Sequence, residues 1–154
     1  EIYGDLLAES LQRLDAAVAT AVVAADGTAP AERTAAARLR AAAFAFFDFY
    51  RDHPADLQLG FYLFRGMKPL GLTAELNSRL NAALSAVLDR MQAPLAAAGL
   101  NPPAAKRATA ALFAQITGLL LLLHTGRIKL FTVDARELLG DYLDRLLVPL
   151  EPSR

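Results

Sequence analysis

The sequence predicts an all-α domain, a bundle of six helices. Three observations point there. Apolar residues recur every third or fourth position through most of the chain, the periodic segments are separated by Gly, Pro and Asn signals, and no stretch reads as a convincing strand. The first helix runs from about Tyr3 to Ala25, with Leu7, Leu11, Leu14, Val18 and Val22 on one side and Asp5, Glu9, Gln12 and Arg13 largely on the other. Asp26-Gly27 ends it, because Gly accepts the left-handed conformation of a helix terminus. The second starts near Pro30, a good first-turn residue, and stops at His53, since Pro54 disfavours helical geometry in the residue before it. Leu39, Ala43, Phe46, Phe47 and Tyr50 form its apolar stripe.

A short third helix is expected from Pro54 to about Phe64, followed by a breaker-rich loop from Arg65 to Gly71. The fourth spans Thr73 to about Ala98, with Leu76, Leu80, Leu84, Val87, Leu88 and Met91 on one side and Pro94 expected to kink its end. Asn101-Pro102-Pro103 is a capping side chain followed by first-turn prolines, and opens a fifth helix that runs to about His124. After a loop from Arg127 to Val133, Asp134 and Glu137 have capping-box spacing, and a sixth helix runs to about Val148.

The chain has 154 residues, which suits one domain with one core spanning 1–154. Hydrophobic residues make up 55%, above the globular norm of about 45–50%, so apolar surface is left over for an interface, a pocket or both. The 16 basic residues balance 16 acidic ones, and no stretch has the basic footprint of a nucleic-acid-binding face. Cysteine is absent, which excludes disulfides and thiol chemistry and fits a reducing cytoplasm. The longest uncharged run, Ala108 to Leu123, falls short of the ~20 apolar residues of a membrane span and reads as a buried helix. No signal peptide is visible, and the N-terminus reads as truncated.

The fifth helix is the most informative segment. At about 100° per residue, Ala111, Ala114, Gln115, Gly118 and Leu122 fall on one side, with Phe113, Thr117, Leu120 and His124 opposite. Neither side carries a charge after Arg107, and a helix apolar all round is expected to be buried all round. One side would face the core and the small-residue side a second subunit. The sixth helix adds Leu138, Leu139, Tyr142, Leu143, Leu146 and Leu147. Pairing the last two helices with their symmetry mates would make a four-helix dimer interface through Ala111, Ala114, Gly118, Leu122, Leu139, Tyr142, Leu143 and Leu146, a kind that often exceeds about 2,000 Å². The other reading makes the fifth helix the central helix of a monomeric bundle.

Catalysis finds little support. His53 and His124 both sit at helix ends, where a cation suits the helix dipole, and His124 also shares the face of Phe113 and Thr117. There is no Glu-x-x-His pair, no cysteine and no Gly-rich phosphate loop, so no metal site or cofactor is expected. Ser10, Ser78 and Ser85 read as solvated surface. The better lead is aromatic: Phe46, Phe47, Tyr50, Phe61, Tyr62, Phe64 and Met67 cluster in the second and third helices and the loop that follows. Such a stripe is plain core or the lining of a cavity.

The ordered set of helices resembles the C-terminal domain of TetR-family repressors. Glu1-Ile2-Tyr3-Gly4-Asp5-Leu6-Leu7 looks like the start of the helix linking the DNA-binding head to the regulatory core. Phe47 to Leu57, centred on Tyr50-Arg51-Asp52-His53-Pro54, is similar to the junction of a long and a short core helix. The fifth helix, closed by Thr125-Gly126-Arg127, and Leu138 to Leu147 look like the last two, dimerising helices. The family's N-terminal helix-turn-helix head is absent, so DNA binding is implied only for a longer parent. The resemblance implies a cytoplasmic, non-enzymatic homodimer without cofactor or membrane. It also implies a small apolar or aromatic effector held between the first five helices by Phe47, Tyr50, Phe61, Tyr62, Leu84, Leu88, Met91, Phe113 and Thr117. Tyr62, Thr117 and His124 would supply orienting hydrogen bonds. The principal alternative is a helical small-molecule or lipid carrier with no role in transcription. An enzyme on a helical scaffold would need a convergent polar set, and a pure assembly domain would have a solid core.

Overall fold

The computed structural model describes residues 2–27, 31–61 and 73–150, leaving aside the side chains of 31–33. Among them stand six α-helices and no strand: α1 (Ile2–Ala24), α2 (Ala31–Asp52), α3 (Pro54–Gly60), α4 (Ala74–Ala97), α5 (Pro102–His124) and α6 (Ala135–Leu147). The expected boundaries hold to within a residue or two, except that α3 ends at Gly60 and the loop after α5 contains a 3-10 helix over Arg127–Phe131. The expected loop from Arg65 to Gly71, with Tyr62, Phe64 and Met67, lies outside the described residues.

The helix starts are capped by short polar side chains that accept otherwise orphaned N–H groups. Thr73 Oγ1 accepts from Leu76 N–H at 3.2 Å, Asn101 Oδ1 from Ala104 N–H at 2.9 Å and Asp134 Oδ1 from Glu137 N–H at 2.9 Å. Gly126, at φ 74°, turns the chain from α5 into the 3-10 helix. Thr132 ends that helix at φ 53°, a left-handed conformation that costs a side-chain-bearing residue about 1 kcal/mol.

The central element is α2, which packs against α1, α3, α4, α5 and α6. Its small residues Ala42 and Ala43 let neighbouring backbones approach, while Leu39, Phe46, Phe47 and Tyr50 fill the space between them at 0–1% exposure. α1 closes on α2 through Leu7, Leu11, Leu14 and Val18. At its N-terminal end, a Cβ on Gly4 would overlap the Leu76 side chain, so glycine is what lets α1 and α4 approach there. α4 contributes Leu80, Val87, Met91 and Leu95 and continues through Pro94.

Within a single chain α5 is buried on one side, and the side expected to meet a second subunit is left open. Its core stripe is Ala105, Thr109, Leu112, Ile116, Leu119 and Leu120, while Ala110, Ala111, Ala114 and Gly118 stay exposed. One chain supplies packing partners on one side only. By length and composition α5 is apolar enough to cross a membrane, yet that stripe packs into the bundle core.

Ion pairs tie the outer helices to the centre. Arg136 grips Asp48 through two bonds of 2.9 and 3.2 Å and lies 4.2 Å over the Phe44 ring, joining α6 to α2. Arg40 pairs with Asp144 across the same junction, and Arg90 with Asp15 (2.7 and 3.0 Å) joins α4 to α1. The side chains of these pairs are 31–61% exposed, so each pair contributes at most about 1 kcal/mol.

Candidate functional site

Four aromatic rings meet where α2, the end of α3 and α5 converge. Phe46 lies edge-on to Tyr50 (centroids 5.2 Å apart, 62°) and to Phe113 (5.8 Å, 86°). Phe61, immediately after α3, stacks on Phe113 (5.9 Å, 27°) and stands edge-on to Tyr50 (5.8 Å, 69°). Helical spacing explains the set: Phe46 and Tyr50 are four residues apart and point to the same side of α2. Offset and edge geometries of this kind add about 0.5–1.5 kcal/mol per pair to the area they bury.

Tyr50 anchors the group at 1% exposure. A Cβ on Gly60 would lie 3.2 Å from its phenol oxygen, so a glycine there lets the ring end sit against the α3 backbone. Burial pushes the phenol well above its ordinary range, and the nearby Asp56 carboxylate adds to the shift. Asp56 is itself buried and bonded to Arg13 at 2.5 Å, and Tyr3 donates its hydroxyl to the Leu59 carbonyl at 2.6 Å. Both contacts hold α3 against α1.

Thr117 lies one helical turn beyond Phe113, and its hydroxyl oxygen is buried with no hydrogen-bond partner. A buried hydroxyl without a partner costs about 1–3 kcal/mol, so its presence on the aromatic side of α5 is an unspent polar handle. A second such hydroxyl belongs to Ser10 on α1. The expectation of a solvated Ser10 is corrected: the residue is 0% exposed, between Leu7 and Leu14 on the packed face. Its spacing of three and four from those leucines was the signal.

Of the residues expected to line a ligand site, Tyr50, Phe61 and Phe113 come together, and Phe46, from the same aromatic set but outside the expected lining, joins them. Thr117, Leu84 and Leu88 are half-buried, whereas Phe47 and Met91 are wholly buried in the core. Tyr62 lies outside the described residues. His124 is exposed, and its Nε2–H donates to the Tyr50 backbone carbonyl at 2.9 Å. His53 Nδ1 donates to the Phe49 carbonyl at 2.8 Å, and its ring lies 4.7 Å from that of Phe49. Among the described residues no group of three or more His, Cys, Asp or Glu side chains is placed to hold a metal ion.

The residues expected at a dimer interface divide into two sets. Ala111, Ala114 and Gly118 are exposed, and a Cβ on Gly118 would meet nothing within 4 Å. Leu122, Tyr142 and Leu146 are half-buried. Leu139 and Leu143, by contrast, are 0% exposed within the chain's own core, because α6 turns its a/d-like stripe of Ala135, Leu139, Leu143 and Leu147 toward α2 and α5. Leu138, Tyr142 and Leu146 are the apolar residues that α6 leaves partly open.

A family model described as the tetracyclin repressor-like C-terminal domain matches residues 39–146, from the middle of α2 almost to the end of α6. No curated protein and no solved structure matches the chain. The resemblance seen at Glu1 to Leu7 falls outside the matched range, while those at Phe47 to Leu57, at the end of α5 and at Leu138 to Leu147 fall wholly or almost wholly within it. With six helices in the expected order and most of its length matched, the chain belongs to the family of tetracyclin repressor-like C-terminal domains.

Proposed function

We propose that this chain is the regulatory domain of a TetR-like transcriptional repressor. It binds a small apolar or aromatic effector, and that binding alters DNA recognition by a longer parent carrying a helix-turn-helix head. Domains of this family generally dimerise and bind small-molecule effectors, and its regulators are generally soluble and cytoplasmic. The observation that carries the effector reading is the aromatic group of Phe46, Tyr50, Phe61 and Phe113 beside the unpartnered Thr117 hydroxyl. Its rings offer flat apolar contact, and the hydroxyl offers one orienting hydrogen bond. Leu84 and Leu88 of α4 and Tyr62 belong to the same proposed lining.

The homodimer reading rests on the exposed Ala111, Ala114 and Gly118 face of α5, together with the half-buried Leu122, Tyr142 and Leu146. Small residues let two helices approach closely across a two-fold axis. An effector that favours one arrangement of α1 shifts the spacing of the two heads, and each ~1.4 kcal/mol of differential affinity moves that equilibrium tenfold. Native mass spectrometry of the purified chain tests both parts at once. A dimer carrying an added small-molecule mass is the expected result. A bare monomer at micromolar concentration would overturn the homodimer and leave the carrier reading in its place.

A further inference from the structure

An open cleft of about 770 Å³ lies at the far end of the bundle from the start of α1, between the last turns of α1, the first half of α2 and the last half of α4. It shares no residue with the aromatic group. The cleft exists because its walls are built from small side chains, Ala35 of α2 with Ala86, Ala93 and Ala97 of α4, where larger residues would have closed the helix contacts. Its volume lies within the roughly 300–1,000 Å³ typical of small-molecule sites.

The charges around it decide what it would take. Among the described residues four charged side chains line it: Asp26, Arg38, Asp89 and Arg90. Arg38 is paired with Asp26, and Arg90 is held by both oxygens of Asp15. Asp89 forms no ion pair among the described residues, although it sits in the same cleft. Asp26 and Asp15 already neutralise the two arginines, so an anionic ligand gains little there and is repelled by Asp89, while a neutral apolar ligand would desolvate Asp89 without return. A cation satisfies Asp89 and leaves both arginine pairs intact.

We propose that this cleft is a second small-molecule site, one that takes an amphiphilic cation. An ammonium head rests on Asp89, and an alkyl or aryl body lies along the alanine wall and Val22. The test is a matched series of 4-phenylbutylamine, 4-phenylbutanol and 4-phenylbutyrate titrated into the whole chain, followed by the methyl NMR signals of Ala86 and Ala93. The amine is expected to shift those signals with a Kd about 3- to 5-fold lower than the acid, the range an exposed charge pair supports. Asp89→Asn should bring amine and acid to near parity. Ala93→Phe should abolish the shifts of Ala86; residues 89 and 93 are both exposed, so neither change disturbs the core. Equal affinities for amine and acid, amine binding that survives Ala93→Phe, or no shift up to the solubility limit would each overturn the proposal. None of these outcomes touches the regulatory reading, which rests on other residues.

Discussion

His124, at the end of α5, donates its Nε2–H to the backbone carbonyl of Tyr50 in α2 at 2.9 Å. In an uninterrupted helix that carbonyl would accept from the N–H four residues on, but that residue is Pro54, which has none. The histidine therefore replaces a helical hydrogen bond that the proline removes. His124→Ala is expected to lower stability by about 1 kcal/mol, a fall in Tm of roughly 2–4 °C. Denaturant and thermal unfolding check this; an unchanged midpoint would mean that water serves the carbonyl equally well.

Gly118 separates the stability of the chain from its association. Nothing stands within 4 Å of where its Cβ would be, and glycine inside a helix costs about 1 kcal/mol relative to better helix formers. Gly118→Arg is therefore expected to leave the folded chain as stable or slightly more stable, while placing a charge on the proposed two-fold face. Analytical ultracentrifugation should find the parent chain dimeric and the variant monomeric. A variant that stays dimeric would move the interface off this face of α5.

The two unpartnered hydroxyls, Ser10 and Thr117, predict gains on removal. Ser10→Ala and Thr117→Val keep the shape of each site roughly intact and delete an oxygen that the free protein leaves unbonded. Each should raise unfolding stability by about 1 kcal/mol. Thr117→Val should also weaken an effector that uses the hydroxyl, giving opposite effects on stability and binding. A loss of stability in either variant would show that its oxygen has a partner, such as bound water.

Tyr50 gives the fold an alkaline limit. Burial holds its phenol proton more tightly in the folded chain than in the unfolded one, where a tyrosine ionises near pH 10. The native state thus binds more protons above that pH, and the stability this proton confers is fully present below about pH 10 and declines as pH rises past it, by at most about 1.4 kcal/mol per unit. Spectrophotometric titration should show at least one of the four tyrosines ionising only as the chain unfolds. Tyr50→Phe should flatten the alkaline slope of stability, and an unaltered slope would remove Tyr50 as its cause.

Much of the local structure was legible in advance because its causes are local. Asn101, Asp134 and Thr73 stand at helix starts, Gly126 at a helix end and Pro54 at a junction, since each acts on backbone groups within four residues. The candidate site was legible only in part. Phe61 and Phe113 are far apart in the chain, and no periodicity states that their rings stack. The role of His124 as a donor to α2 was likewise hidden, because its partner is a backbone carbonyl 74 residues away.

By itself, the sequence determined an all-helical fold, the order of its helices and most of their ends, the stripes that α1, α2 and α4 bury, and a surplus of apolar surface on α5. Hydrophobic spacing and capping suffice for that, because they act along one helix at a time. Tertiary structure alone decided which of several apolar faces won the core. It put α2 at the centre, took Leu139 and Leu143 inside and left Ala111, Ala114 and Gly118 exposed. It also buried Ser10 and opened the alanine-walled cleft beside Asp89. A face is buried only if another element lies against it, and that depends on how distant helices pack rather than on the pattern within any one of them.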